Sequence, residues 1–193
     1  MDQNLYRTVN RFAARTGWAH PFAIGFAKYG VVIFAGVLIL AWWRARSTGD
    51  LHSLAGAVWA AVAALIALGI GQIIGGIVDR HRPYEAMQSV HVLVSRTTDF
   101  SLPSDHATAV GAVAVGLWLS DRPLGKVAVV LAIIMAFTRV YVGAHYPADV
   151  LAGLALGGIT AGIGAKHGTR LLEATIAYIN RLPHASAITG SRT

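Results

Sequence analysis

Four short stretches of this chain carry residue types that could handle a phosphoryl group. They are "DRHRP" at 79–83, "PSDH" at 103–106, Arg139, and "AHYPAD" at 144–149. His145 and Asp149 stand four apart across a helix start that Pro147 would open. At that spacing the carboxylate can accept from one ring nitrogen, which orients the imidazole and leaves the other nitrogen free to attack phosphorus. His106 follows Ser104, which suits a helix N-cap, and is the natural general acid for a leaving oxygen. Arg82, Arg139, Ser104 and nearby backbone amides would hold the phosphoryl oxygens, because guanidiniums and helix N-termini both favour anions. Asp105 falls by position among these phosphate-binding residues. Such a set predicts phosphoester cleavage through a phosphohistidine. It needs no metal and no cofactor, and the absence of cysteine excludes thiolate chemistry and disulfides.

Arg139 sharpens the expectation. It lies inside the apolar stretch "IIMAFTRVYVGA", where an ionisable side chain costs about 2.5–3.5 kcal/mol on insertion scales. It therefore requires an anionic partner, either Asp149 in a salt bridge or a bound anion. Arg82 nearby favours the anion, since two guanidiniums need more than one carboxylate.

Positioning these residues falls to apolar segments. Of 193 residues, 55% are hydrophobic and only 13% charged, against about 25% charged in soluble domains; mean hydropathy is +0.56. Five segments approach the roughly 20 residues that a bilayer crossing needs: 21–43, interrupted only by Lys28, then 51–78, 104–120, 126–142 and 147–165. This predicts an all-α polytopic bundle forming one integral-membrane domain over 1–193. Residues 1–20 are its interfacial helix, 21–166 the five-span bundle and 167–193 a cytoplasmic tail.

Short turns make the spans alternate in direction. One membrane face then gathers Arg80, Arg82, Ser104, His106, Arg139, His145 and Asp149. The opposite face carries Arg44, Arg46, Arg122, Lys126, Lys166 and Arg170. The N-terminal stretch places Leu5, Val9 and Phe12 on one side and Arg7, Arg11 and Arg15 on another, as expected of a helix lying in the head-group region. It lacks the apolar core and cleavage site of a removable signal peptide. Leu172, Ile176 and Ile179 repeat the pattern more weakly before Pro183, and both segments read as anchors. The pairs Gly71/Gly75, Gly153/Gly157 and Gly158/Gly162 have the spacing of close helix packing in lipid. The net charge of +7 lies mostly between apolar stretches, which points to anionic lipid rather than nucleic acid.

"RP" at 82–83, "PSDH" at 103–106 and "RVYVGAHYPAD" at 139–149 resemble the three signature motifs of the type 2 phosphatidic acid phosphatases. The resemblance runs from the second span through the fifth. It implies His145 as nucleophile, Asp149 as its partner, His106 as acid, and Arg82, Ser104 and Arg139 as phosphate ligands. Three positions depart from the family. Gly75 stands where the first motif usually has Lys, Thr138 where Ser commonly precedes the third-motif Arg, and Asp105 where the second motif has Gly. Asp105 beside phosphate requires its charge to be directed elsewhere, to Arg80 or Arg96, and Arg80 is the candidate substitute for the missing Lys.

"PSDHAT", a connection containing "SVHVLV", and the missing Lys are similar to the bacterial undecaprenyl-diphosphate phosphatase branch linked to bacitracin resistance. That resemblance implies a polyprenyl diphosphate substrate, undecaprenyl diphosphate hydrolysed to the monophosphate, in the recycling of the lipid carrier of peptidoglycan synthesis. The residues themselves specify only a lipid phosphate. Rival substrates are phosphatidylglycerophosphate and phosphatidic acid, and a non-enzymatic lipid-binding or transport protein is the alternative of another class. A vanadate haloperoxidase shares the phosphate-site logic but is soluble. Charge bias between the two faces is almost even, so the extracytoplasmic placement of the site leans on the resemblance. His81 and His91 read as exposed loop residues, and oligomeric state is not encoded legibly.

Overall fold

The computed structural model describes residues 1–179; Pro183 lies outside the described residues. Seven helices follow in order: α1 (Asp2–Arg15), α2 (His20–Thr48), α3 (Leu51–Val78), α4 (Pro83–Ala86), α5 (Asp105–Ser120), α6 (Arg122–Tyr141) and α7 (Pro147–Ile179), with one 3₁₀ turn, Gly17–Ala19, before α2. The described residues contain no strand.

Four stretches, Gly17–Thr48, Leu51–Ala86, Arg122–Tyr141 and Pro147–Ile179, are long and apolar enough to cross a bilayer. The expected fifth span, α5, has 16 residues. At about 1.5 Å per residue it reaches roughly 24 Å, short of a hydrocarbon core of about 30 Å. It is the central post of the bundle, packed against α3, α6 and α7.

The side-chain pattern inverts that of a soluble bundle. On α3 the inward face is Ala57, Ala60, Ala63, Ala67 and Gly71, while Leu65 and Ile73 point outward, 70% and 65% exposed. Lipid tails are as apolar as leucine, so helices in lipid associate through close packing of small residues and leave large ones outside. Where α7 crosses α5, a Cβ on Gly153 would lie 2.6 Å from the Ser104 carbonyl oxygen, and one on Gly157 would lie 2.7 Å from the Ala112 nitrogen. These two glycines let α7 approach the start of α5, which brings Asp149 beside Ser104. In the other expected pairs one member is loose, Gly71 at 3.4 Å from Pro103 and Gly162 at 3.9 Å from Val115, and the other tighter, Gly75 at 2.9 Å from Phe100 and Gly158 at 3.2 Å from Val115.

Two features mark the chain ends. The last span is expected to stop near 165, and the helix that carries it, α7, runs on unbroken through Lys166, His167 and Gly168 to Ile179. The tail therefore begins as helix, with Leu172, Ile176 and Ile179 half-buried. The α1 helix forms, but its packed face is Tyr6, Asn10 and Ala13, while Leu5 and Phe12 are 54% and 51% exposed. The Tyr6 hydroxyl donates to the Gly143 carbonyl at 3.3 Å, and Asn10 pairs with both backbone groups of His91, at 2.6 and 2.9 Å. It is thus a docked part of the bundle, held at the end where α6 meets α7.

Candidate active site

The α6–α7 turn sets the centre of the site. Gly143 takes φ +82°, a conformation that reverses the chain after α6 at little steric cost only for glycine. The turn then delivers His145, 1% exposed, ahead of the Pro147 that opens α7. Its Nδ1 lies 2.8 Å from the Ser101 carbonyl oxygen. A carbonyl can only accept, so Nδ1 carries the proton and Nε2 presents its lone pair. Arg82 Nη1 and Arg139 Nη2 both stand 3.2 Å from Nε2. Burial, reinforced by the two guanidiniums, pushes the imidazole well below the usual histidine range and keeps it neutral.

The expected direct bond from Asp149 to the ring is replaced by a relay. Asp149 Oδ2 is 3.9 Å from Nδ1. That oxygen accepts from the Ser101 hydroxyl at 2.6 Å and from the Tyr146 N–H at 2.9 Å. Ser101 therefore couples carboxylate to imidazole, its hydroxyl on one and its carbonyl on the other. The reason is local geometry: i,i+4 spacing pairs side chains within a helix, but His145 precedes Pro147 and stands outside α7. Sequence reasoning missed Ser101, which is fully buried directly after the exposed stretch 95–100.

Arg80 also turns away from the expected role. Its guanidinium pairs with Asp149 and with Asp2 of α1, and it lies over the Tyr146 ring at 4.2 Å. It braces the back of the carboxylate and does not substitute for the family Lys. At Gly75, where that Lys would be, a Cβ would lie 2.9 Å from the Phe100 ring. The 99–103 connection fills the space that a side chain would need. Asp2 in addition accepts from the Ala148 N–H at 3.0 Å, so this α7 N–H is capped from α1 and not directed at a ligand. Nothing in the sequence pairs Asp2 with residues so distant.

Arg82 and Arg139 converge from different elements. Arg82 caps α4, donates to the Ala144 carbonyl at 3.1 Å and pairs with Asp99 at 3.0 Å. Burial acts to raise the Asp99 carboxyl, but hydrogen bonding from Thr97 and the Arg82 charge outweigh it and hold the group below its ordinary value. Arg139 donates to the Ala27 carbonyl of α2 at 3.3 Å and carries no salt bridge to Asp149; its buried Nε has no hydrogen-bond partner. Ser104 sits at the N-cap of α5, but its hydroxyl does not cap. That Oγ is fully buried without a partner, while its N–H donates to the Asp149 carbonyl at 3.1 Å. Unmade hydrogen bonds on buried donors are costly, so both atoms suit a ligand that accepts.

His106, Arg82, Arg139 and Ala144 line a cavity of about 380 Å³ whose other walls include Ile24, Lys28, Leu93 and Val94. Asp105 is not among its lining residues. Gln72 holds the Asp105 carboxylate at 3.0 and 3.1 Å, where Arg80 or Arg96 was expected; Arg96 lies over the Tyr84 ring instead. His81 is exposed beside Glu85, and His91 is exposed with its backbone held by Asn10. Among the described residues, no group of three or more His, Asp or Glu could hold a metal ion.

Comparison with known proteins shows the family. The chain is 26% identical over 154 residues to "Undecaprenyl-diphosphatase BcrC" of Bacillus subtilis, covering 80% of this chain and 77% of that one. Aquifex aeolicus LpxE shares the fold at a TM-score of 0.66 and 22% identity, over 86% of this chain and 94% of that chain. A Bacillus subtilis PAP2-type phosphatidylglycerolphosphate phosphatase does so at 0.58 and 19%, over 93% and 88%. Residues 56–168, which carry His106, Arg139, His145 and Asp149 in a helical, multi-pass membrane protein, match the PAP2 superfamily, and the chain belongs to it.

Proposed function

We propose that this protein hydrolyses a polyprenyl diphosphate, specifically undecaprenyl diphosphate, to the lipid monophosphate and inorganic phosphate. One observation carries the reading: His145 offers a neutral Nε2 at 3.2 Å from both Arg82 and Arg139 while Nδ1 is tied to Ser101. A phosphoryl group seated between the guanidiniums meets the nucleophile and its charge stabilisers together. The likeness to an undecaprenyl-diphosphatase over most of the chain supports the substrate. The apolar wall of Ile24, Leu93 and Val94 suits a prenyl tail leaving toward the bilayer.

In the first step Nε2 of His145 bonds to the terminal phosphorus. The bond from that phosphorus to the bridging oxygen breaks, its electron pair going to the lipid monophosphate, and His106, as the imidazolium that the bound phosphates favour, donates a proton to that oxygen. Asp149, acting through Ser101, favours the positive charge that develops on the ring. In the second step water attacks the phosphohistidine, His106 takes a proton from it, and the P–N bond breaks to release inorganic phosphate. Arg82, Arg139 and the Ser104 hydroxyl bind the phosphoryl oxygens, so the scheme uses no metal. Asp105 contributes through its place at the start of α5, with its carboxylate turned to Gln72.

In this reading α5 completes a five-helix bundle, α1 lies in the head-group layer with Leu5 and Phe12 toward lipid, and the site faces the extracytoplasmic side. A Thr98→Cys variant, in a chain without native cysteine, should label with an impermeant reagent in intact cells; protection would reverse the orientation. The deciding experiment for function is phosphate release by purified protein offered undecaprenyl diphosphate, phosphatidylglycerophosphate and phosphatidic acid side by side, with and without chelator. Undecaprenyl diphosphate should give the highest kcat/KM, unchanged by chelator. A clear win for either other lipid would reject the substrate.

A further inference from the structure

The cavity wall holds a cation that the scheme above leaves idle. Lys28 is the one charge in α2 between His20 and Arg44. It lines the same cavity as Arg82, His106 and Arg139. Its depth is fixed by its neighbour: Ala27 accepts from Arg139 Nη1 at 3.3 Å, so Lys28 stands one residue from the level of the phosphate-binding guanidinium. It is exposed, whereas His145 is buried.

The partners of the neighbouring cations set Lys28 apart. Arg80 is neutralised by Asp2 and Asp149, and Arg82 by Asp99. Arg139 pairs only with a carbonyl and an imidazole. Lys28 has no carboxylate among the described residues and contacts only the Tyr29 ring, at 5.0 Å. An anion with a single phosphoryl group is already served by Arg82, Arg139 and Ser104. Lys28 adds a further mobile ammonium toward the opening, where the part of a substrate beyond the reacting phosphorus must lie. As a compact point charge on a flexible stem it suits a tetrahedral phosphate whose position is set elsewhere.

Resting on the diphosphate reading, we infer that Lys28 binds the second, lipid-bearing phosphate of the substrate and thereby sets selectivity for lipid diphosphates over lipid monophosphates. It holds the leaving phosphate while Arg82 and Arg139 hold the one attacked by His145. A charge-assisted contact of this kind changes affinity by about tenfold or more.

The test compares two non-hydrolysable ligands of equal chain length, farnesyl methylenediphosphonate and farnesyl phosphonate, binding to purified full-length protein. Wild type should prefer the diphosphonate. Lys28→Met should weaken diphosphonate binding about tenfold more than phosphonate binding, and Lys28→Arg should restore most of the preference. Equal losses for both ligands, or no loss, would overturn the subsite and leave Lys28 a head-group anchor. Hydrolysis of undecaprenyl diphosphate by wild type is measured in parallel. Hydrolysis without a Lys28 effect overturns the subsite alone. A Lys28-dependent preference in a protein that does not hydrolyse the lipid overturns the substrate reading and keeps the subsite.

Discussion

The two ends of the bundle carry cavities of similar size, about 380 Å³ beside Arg82 and Arg139 and about 300 Å³ beside His52, Trp59, Lys166 and Arg170. Each is lined by a histidine and two or more basic side chains, with an acid at hand: Glu173 lines the second, and Asp99 pairs with Arg82 at the first. They differ in burial and in convergence. At the first end His145, Asp149, Arg82 and Arg139 are all at most 9% exposed, and the α4 N-cap meets the α6–α7 segment there. At the second, His52–Glu173 and Arg44–Asp121 are isolated pairs whose basic side chains are 65% and 49% exposed. Exposed pairs are worth little, about 0–1 kcal/mol, because water already solvates both partners. Burying several ionisable groups together persists only where each is hydrogen-bonded or meets a ligand. Residue type and cavity volume alone do not separate the two ends; the desolvated convergence does.

The largest expected effect breaks the comparison at its centre. His145→Ala should lower phosphate release by at least about 10³-fold, as loss of a nucleophile does, whereas His52→Ala at the other end should stay within about twofold. Comparable losses from both would mean that His145 does not attack phosphorus. Asp149→Asn comes next, at about 10²-fold in kcat with little change in KM. The carboxylate accepts from Ser101, Tyr146 and Arg80, and an amide offers one oxygen where two are used. Ser101→Ala removes the hydroxyl but keeps the carbonyl that holds Nδ1, so it should cost less than Asp149→Asn. A larger loss from Ser101→Ala would reject the relay.

How much of this the sequence discloses follows from what each element faces. The uncharged run 51–78 predicts α3 residue for residue, because a span without charge has no rival reading. The convergence of Arg82, Ser104, His106, Arg139 and His145 follows from alternating helices and a few motifs. The packed face of α1 does not. In lipid the apolar stripe of a helix marks the side toward the bilayer, and the side toward protein is Tyr6, Asn10 and Ala13, which no hydrophobic period reveals. Arg80 and Ser101 are likewise illegible as partners of Asp149, and Asp2 as the second partner of Arg80, since 69, 48 and 147 residues separate them from Asp149 along the chain and only the fold joins them.

That strut offers a smaller effect. Asp2→Asn removes the charge that faces Arg80 and leaves one side-chain oxygen for two donors, Arg80 and the Ala148 N–H. Asp149 and Arg80 remain paired, so kcat should fall about three- to tenfold, with KM nearly unchanged. Glu173→Gln, which breaks the exposed pair at the other end, should change neither. If Asp2→Asn raised KM and spared kcat, α1 would act in lipid binding rather than in holding Asp149.

The smallest effect tests the electrostatic side of the contrast. Burial and the two guanidiniums depress the His145 imidazole in the folded protein, whereas the unfolded chain releases it to the ordinary value near 6.5. Below that value the unfolded state takes up a proton that the folded state refuses, so stability falls with pH from about 6.5 downward, toward the depressed folded value. Above 6.5 neither state is protonated and the contribution is complete. One pH unit below, the loss is about 1.4 kcal/mol. Melting of wild type and His145→Gln in the same detergent should therefore diverge in slope: wild type loses more between pH 7.5 and 5.5 than the variant, which has no imidazole to titrate at this position. Parallel slopes would mean that residue 145 protonates as readily folded as unfolded, and the neutral Nε2 between Arg82 and Arg139 would have to be abandoned.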